Sequence, residues 1–466
     1  CIWDWADQAV WTDTPHGRSL AYGGDFDDFP NDGPFCNNGV VDAQRRVTPK
    51  LLEMAHVQRN LAVRRDKNGG FVLENRHCFT NADEFKGQWE LLVDGMSVAK
   101  GEFLPPFVAP LSTALLSVAE LEAAISAAPR GKEIFVNFSF SAKNAAFLVP
   151  TDWVVARDQI SVTSGAKFKE KTRSDKLVKA VDSKDRLEIH AGSTRAVFDK
   201  SSGTMIKLVI GGIDVFQGDG GPRLTCARAF VDNDRWMAKP FFASGLSQLR
   251  YHTESFVVEE DAVKCVVDVT GSKGCGFSHV CEYRFGADGS VTMKNSVEPF
   301  GVMPELPRLG LSMRLSKVLD NVRWYGRGPH ENYNDRCSSA FFGVWSSRVA
   351  DLFVDYVRPQ DNGYRTGARW VEFVDTKGSG VRFAQSEPIA FQALEYGWEA
   401  LYFSRHLNGE RRRRAPLVPE DATLLNIDVR QTGLGGESCG PQPLEQYRFN
   451  PHEKVEWTLC IERIGV

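Results

Sequence analysis

From about residue 161 to the C-terminus, short runs of Val, Ile, Leu and Phe alternate with turn residues at the roughly 8–12-residue spacing of stacked antiparallel strands. "RLEIHAGSTRAVFDKSSGTMIKLVIGGIDVF" shows the pattern, with "DKSSG" and "GG" as turns, and "GSVTMKNSVEPF" and "LGLSMRLSKVLDNVRWYG" continue it. There is no strict internal repeat and no low-complexity tract. This leaves room for one large β architecture over residues 161–466. Thirty Phe, eleven Trp and ten Tyr in 466 residues suit a β core and equally suit surfaces that stack on sugars. The expected fold class is mainly β.

The earlier chain divides in two. Residues 59–160 hold shorter runs, among them "GGFVLENRHCF", "KEIFVNFSFSAK" and "TDWVVARDQISV", which predict a small β-sandwich. In "LVDGMSV", Asp94-Gly95 predicts a tight hairpin. "SVAELEAAISAA" (Ser117 to Ala128) reads as a strand-flanking loop or turn rather than a helix. Residues 1–58 differ. "CIWDWADQAV" is short, apolar and strand-like, with Asp4 and Asp7; a long polar loop follows. Thr48-Pro49 then opens a helix with an apolar face of Leu51, Leu52, Ala55 and Val57. Strand, loop and helix in that order match the closing edge of a (β/α)8 barrel, where loops after strands carry the chemistry. The chain opens on Cys1 rather than Met, so it is expected to be a piece of a longer protein.

A net charge of -4 offers no basic patch for nucleic acid. The run Arg411 to Arg414 reads as a solvated loop tip. No apolar run reaches the ~20 residues needed to span a bilayer. Cys275 and Cys281 in "CGFSHVC" sit in a strand-like setting without partner ligands, so they read as buried thiols rather than a zinc site. The ten cysteines point to a reducing compartment, expected to be cytoplasmic.

Two segments are dense in chemistry. "YGGDFDDFPNDGPFCNNG" (Tyr22 to Gly39) fixes an irregular backbone with Gly and Pro and lines it with carboxylates, amides and aromatic rings. Asn31, Asp32, the carbonyl of Phe35 and the side chain of Asn38 can supply oxygen to a hard cation; Asx residues also make such turns by bonding their own backbone. "VRWYGRGPHENYNDRCSSAFFGVW" (Val322 to Trp345) offers His330-Glu331 as an acid/base pair. Alternatively it is a rigid loop whose Arg336 pairs with Glu331 or Asp335. "RPQDNGYRTGARW" and "GLGGESCGPQP" are further polar, glycine-rich loops on the β scaffold.

In this order, "WDWADQ", "YGGDF", "PND", "FCNNG", "RAFVDND", "LPRLG", "WYGRGPHENYNDR", "PQDNGYRTGARW" and "GLGGESCGP" resemble the C-terminal part of glycoside hydrolase family 2 β-galactosidases. The resemblance implies the end of a catalytic barrel over 1–58 and an immunoglobulin-like β-sandwich over 59–160. Residues 161–466 then correspond to a large galactose-mutarotase-like β supersandwich. It implies retaining hydrolysis of terminal β-D-galactose, as in lactose, with Mg2+ and Na+ as cofactors and a homo-oligomeric assembly. Trp3 then lines the galactose site. Phe35 (through its carbonyl) and Asn38 hold a sodium ion that touches the sugar, and Asn31 contributes to a second Mg2+ site. Cys439 stands where one branch of the family stacks a tryptophan on the aglycone, whereas other branches carry "SCGP" here.

Retaining glycosidases need two carboxylates about 5–5.5 Å apart. The family's two glutamates and its main Mg2+ ligands lie upstream of "WDW", so no residue of this chain matches them. Three readings follow: a β-galactosidase fragment completed by the N-terminal part of the barrel, a non-catalytic sugar-binding or complementing subunit, or an epimerase-like enzyme using His330 and Glu331.

Overall fold

The computed structural model describes residues 2–14, 17–145, 148–165, 176–404 and 417–465. The run Arg411 to Arg414 lies outside the described residues. Strands dominate throughout.

At the start, strands Asp4–Ala6 and Gly39–Val41 pair in parallel, with Asp4 opposite Gly39 and Ala6 opposite Val41. The sequence reading had one strand here; the second is too short, at Gly39-Val40-Val41, to announce itself beside the polar loop. A hairpin of Val10–Thr14 and Gly17–Ala21 stands between the first strand and that loop. Helix Pro49–Val57 begins where expected: the Thr48 hydroxyl accepts from the Leu51 N–H, and Pro49 occupies the first turn. Its apolar face is not buried. Leu52 and Val57 are exposed, and Lys50, Glu53 and His56 meet the rest of the molecule. Trp3 (81% exposed), Trp5, Trp11, Phe29 and Phe35 are exposed in the same region.

Seven strands between residues 61 and 163 form two facing sheets. One orders Val154–Thr163, Ile134–Ala142, Phe85–Val93 and Met96–Phe103; the other is Leu61–Arg65, Phe71–Asn75 and Ser112–Leu116. Alternation does the sorting. Phe85, Trp89 and Leu91 from one strand and Val136, Phe138 and Phe140 from its neighbour point into a shared core with Leu61, Leu73 and Leu116. The Asp94-Gly95 hairpin forms with both residues at positive φ (47° and 79°), as a type I′ turn requires. The segment around Ser117 corrects the sequence reading: Ala119–Ala127 is an α-helix. Its alanines have high helix propensity, Glu120 and Glu122 favour the first turn, and Leu121 anchors it in the core.

Beyond residue 176, a five-stranded sheet (Val178–Asp182 through Ile213–Asp214) packs on a twelve-stranded one. The long path of the large sheet runs Arg223–Thr225, Arg308–Leu315, Thr423–Gln431, Gly380–Leu394, Val455–Ile464, Val291–Phe300, Gly276–Phe285, Ala262–Thr270 and Arg250–Val258. Arg365–Val374, Asn321–Gly328 and Phe341–Arg348 branch from it. One continuous apolar core joins both sheets, from Leu187 to Ile461. Cys275 and Cys281 are buried free thiols on or beside its strands, as expected.

The sandwich is fastened to the supersandwich by specific groups. Glu133 accepts from Arg369 Nε and Nη2 and from the Tyr325 hydroxyl. Gln159 exchanges two hydrogen bonds with the backbone of Phe342 (2.6 and 2.7 Å), and Phe135 stacks on its ring. The Asp94-Gly95 turn docks here as well: Val344 N–H donates to the Gly95 carbonyl, and any Cβ on Gly95 would lie 2.5 Å from the Tyr325 ring.

Candidate sugar-pocket loops

The Tyr22–Gly39 loop is built from Asx turns. Asp28 accepts from the Gly24 and Phe26 N–H groups, and Asp25 from that of Tyr22. Asn31 accepts from Gly33 N–H (3.0 Å) and donates to the Asp28 carbonyl (2.8 Å). Its Oδ1 keeps a second lone pair. Asp32 precedes the turn Gly33–Cys36 without capping it. Asn38 places its amide directly on the Phe35 carbonyl. The parallel register brings Trp3 and Asn38 to the same end of the strand pair. Four residues named from sequence, Trp3, Asn31, Phe35 and Asn38, thus share one small region. Among the described residues no three His, Cys, Asp or Glu side chains converge as a metal site. The donors named here, the Phe35 carbonyl and the Asn31 and Asn38 amides, are neutral oxygens, which suits a monovalent cation better than a divalent one.

Behind the loop stands Arg358, paired with Asp232. Burial pushes its guanidinium below the usual range, partly offset by Tyr22 and Tyr402. Next to Asp232, Asn233 reaches the glycine-rich loop. It donates to the Gly435 carbonyl (2.8 Å) and accepts from the Ser438 N–H (3.1 Å) and hydroxyl. Asp335 holds the same loop from its other side, accepting from Leu434 N–H (3.0 Å) and Gly435 N–H (2.8 Å). Cys439 follows Ser438 and is exposed. The opening loop, "RAFVDND", "RPQDNG" and "GLGGESCGP" therefore meet through one chain of contacts. Sequence reasoning gives no role to Asn233 or Arg358, and offers Asp335 only as a possible partner of Arg336. The dense "DND" and "NDR" spellings were the available signal, but their partners lie about a hundred or two hundred residues away.

His330 and Glu331 do not form an acid/base pair. Glu331 is buried and accepts from Arg336, the Tyr356 hydroxyl (2.9 Å) and Gly363 N–H (2.8 Å), a fully engaged structural carboxylate. His330 Nε2 faces the Ser339 hydroxyl (2.9 Å), and burial lowers its pKa to about 4. Ser339 is in turn held by Glu53 of the first helix, which also accepts from the Ser338 and Ser339 N–H groups. Burial raises the Glu53 pKa, but these hydrogen bonds outweigh it and the net shift is downward. Of the two partners open to Arg336, it takes Glu331, and Asp335 is left to fasten the glycine-rich loop. The rigid-loop reading holds, and with it the epimerase-like role of this pair loses its chemistry.

A parallel strand pair with its helix, a β-sandwich and a two-sheet β supersandwich follow one another in the order of the barrel, domain 4 and small-chain regions of family 2 glycoside hydrolases. Residues 190–461, more than half of the chain, match the family described as "Beta galactosidase small chain", and the chain belongs to that family. Residues 71–163 match "Beta-galactosidase, domain 4" and residues 1–63 "Glycosyl hydrolases family 2, TIM barrel domain". The chain is similar to the β-galactosidase of Halalkalibacterium halodurans, 28% identical over 99% of this chain and 45% of the relative. The β-galactosidase of Priestia megaterium is 28% identical over 94% of this chain and 42% of its own length. That of Streptococcus thermophilus is 25% identical over 100% and 44%. The chain thus spans less than half the length of these relatives. Among solved structures, a galactose 1-epimerase from Lactobacillus acidophilus aligns with 62% of this chain and 98% of its own at 10% identity, with a TM-score of 0.35. Among the described residues no helix is long and apolar enough to cross a membrane.

Proposed function

We propose that this chain is the C-terminal part of a retaining β-galactosidase that hydrolyses terminal non-reducing β-D-galactose from β-galactosides such as lactose. The observation that carries the reading is the order of the three family matches, barrel end, domain 4 and small chain, along nearly the whole chain. Two carboxylates, one acid/base and one nucleophile, are required for retention, and in this reading they come from barrel strands that precede "WDWADQ". Consistent with that, the parallel strand pair leaves Trp5 in solvent, although parallel sheets are normally covered on both faces.

In this reading Trp3 lines the galactose pocket and the Tyr22–Gly39 loop forms its wall. The Phe35 carbonyl and the Asn38 side chain would hold Na+ in this reading. Such a cation supplies positive charge against sugar hydroxyls. Asn31 offers its free lone pair to a second Mg2+ site; the main Mg2+ ligands lie with the glutamates. Cys439 borders the aglycone side, where a thiol gives less stacking surface than an indole. The assembly is a cytoplasmic homo-oligomer.

The test is a panel of p-nitrophenyl β-D-galactoside, β-D-glucuronide and β-D-mannoside with the longer protein. Turnover of the galactoside alone, with β-galactose as the first anomer by NMR, is expected. Preference for another glycone, or inversion, contradicts the reading.

A further inference from the structure

The supersandwich carries a second cleft, remote from the polar loops. It opens on strands Arg308–Leu315 and Thr423–Gln431 at the ends opposite the Gly433–Pro443 loop, around Arg314 and Leu424. Its volume, about 310 Å³, falls within the range of small-molecule sites. Tyr396 and Trp398 present aromatic surface to it, and Arg223, Arg314, Glu399 and Glu420 present charge. Arg314 pairs with Glu420. Arg223 lies over the ring of Tyr251, 5.8 Å from its centroid.

Gly397 is the informative position. Its φ of -72° is open to any residue, so the backbone does not demand glycine there. A carbon in the Cβ position would stand 3.3 Å from Glu399 Oε2 and 3.6 Å from Glu420 Oε1. The two carboxylates therefore converge on the space this glycine leaves open. Glu399 is exposed as a residue, and partial desolvation of its carboxyl together with the repulsion of Glu420 raises its pKa; no side-chain donor reaches the Glu399 carboxylate among the described residues. Among the described residues these groups form no metal site.

Aromatic faces, carboxylate acceptors and guanidinium donors around a hexose-sized void are the groups that recognise a polyhydroxylated ring. The apolar C–H face of the sugar stacks on the ring, and its hydroxyls donate to carboxylates and accept from Arg. We propose that this cleft is a hexose-binding site, with Trp398 as the stacking face, Glu399 and Glu420 as hydroxyl acceptors and Arg223 as donor. It is separate from the loop cluster and stands whether or not the hydrolase reading does.

The test is calorimetric titration of the longer protein with D-glucose and D-galactose, with β-galactoside turnover measured alongside. Two classes of hexose site per chain are expected. Trp398→Ala weakens one class about tenfold, the equivalent of one aromatic contact, and leaves turnover unchanged. Gly397→Leu, which fills the void from a permitted backbone, removes that class and serves as the second probe should Trp398→Ala disturb folding. The proposal is overturned if no class of hexose site in the unmodified protein is weakened by Trp398→Ala and removed by Gly397→Leu, whether one class or two is seen. Absence of turnover with the second class intact overturns the hydrolase reading alone.

Discussion

Asn233→Ala is the substitution that most sharply tests how the loop cluster is assembled. The Asn233 side chain makes three hydrogen bonds to the Gly433–Pro443 loop: to the Gly435 carbonyl at 2.8 Å, from the Ser438 N–H at 3.1 Å and from the Ser438 hydroxyl. Each partly buried bond is worth about 0.5–1.5 kcal/mol net, and water recovers some of that in the variant. A total near 2 kcal/mol follows. The loss is local, because Arg228 and Asp335 still hold the loop at Gly433, Leu434 and Gly435. Global stability should barely move. The opening equilibrium of the loop should rise about 30-fold, since about 1.4 kcal/mol is a factor of ten. Hydrogen exchange reads this directly at the amides of Gly436 and Cys439, which are bonded within the loop. Their exchange should accelerate about 30-fold while strand Thr423–Gln431 stays protected. Asn233→Asp, which keeps the acceptor but loses the donor to Gly435, should fall between. A loop change under about threefold, or equal acceleration in the strand, would refute the clamp.

Three further outcomes follow from the same structure. Glu133→Ala removes the shared acceptor of Arg369 and Tyr325; because Arg369 is about a third exposed and can rehydrate, the cost should be about 2 kcal/mol by urea unfolding rather than the larger penalty of a fully buried charge, and a loss under about 0.5 kcal/mol would contradict the interface. His279 and His330 are both held near pKa 4, chiefly by burial, against an ordinary value of 6.5. A depressed folded pKa gives stability that is complete above pH 6.5 and lost as pH falls towards 4, by up to about 3 kcal/mol per histidine. His279→Gln should flatten that part of the pH–stability curve, and an unchanged slope would refute the assignment. Asn38→Ala in the longer protein should weaken sodium activation of turnover by raising the sodium concentration needed, and unchanged sodium dependence would remove Asn38 from the cation site.

What the sequence disclosed and what it hid follow one physical line. Local rules were legible. Asp94-Gly95 specifies its turn because only such residues tolerate two positive φ angles. Thr48-Pro49 starts its helix because the cap and the fixed φ lie within four residues. Strands of the sandwich follow from alternation in "FVNFSFSA". The helix at Ala119–Ala127 was hidden because a strand-rich setting outweighed an alanine-rich stretch with one buried anchor, Leu121. Strand Gly39–Val41 is fixed by its pairing with Asp4–Ala6 rather than by its own three residues. Long-range choices were not legible. Arg336 had two acidic neighbours in sequence, and burial of Glu331 beside Tyr356 and Gly363 decided between them. Asn233 and Ser438 find each other across 205 positions, a distance over which spacing carries no signal. The Gly, Pro, Asp and Asn content of Tyr22–Gly39 marks it as a binding loop, the resemblance assigns its residues, and the Asx turns explain how it keeps the Phe35 carbonyl and Asn38 together.

The most direct measurement compares β-galactoside hydrolysis by the purified 466-residue chain with hydrolysis by the same chain joined to the preceding barrel strands. The account predicts no turnover by the chain alone and retaining turnover by the longer protein, because the two carboxylates come from the added strands. Turnover by the chain alone would place the catalytic groups within these residues and contradict the account; an inactive but folded longer protein would contradict the β-galactosidase reading itself.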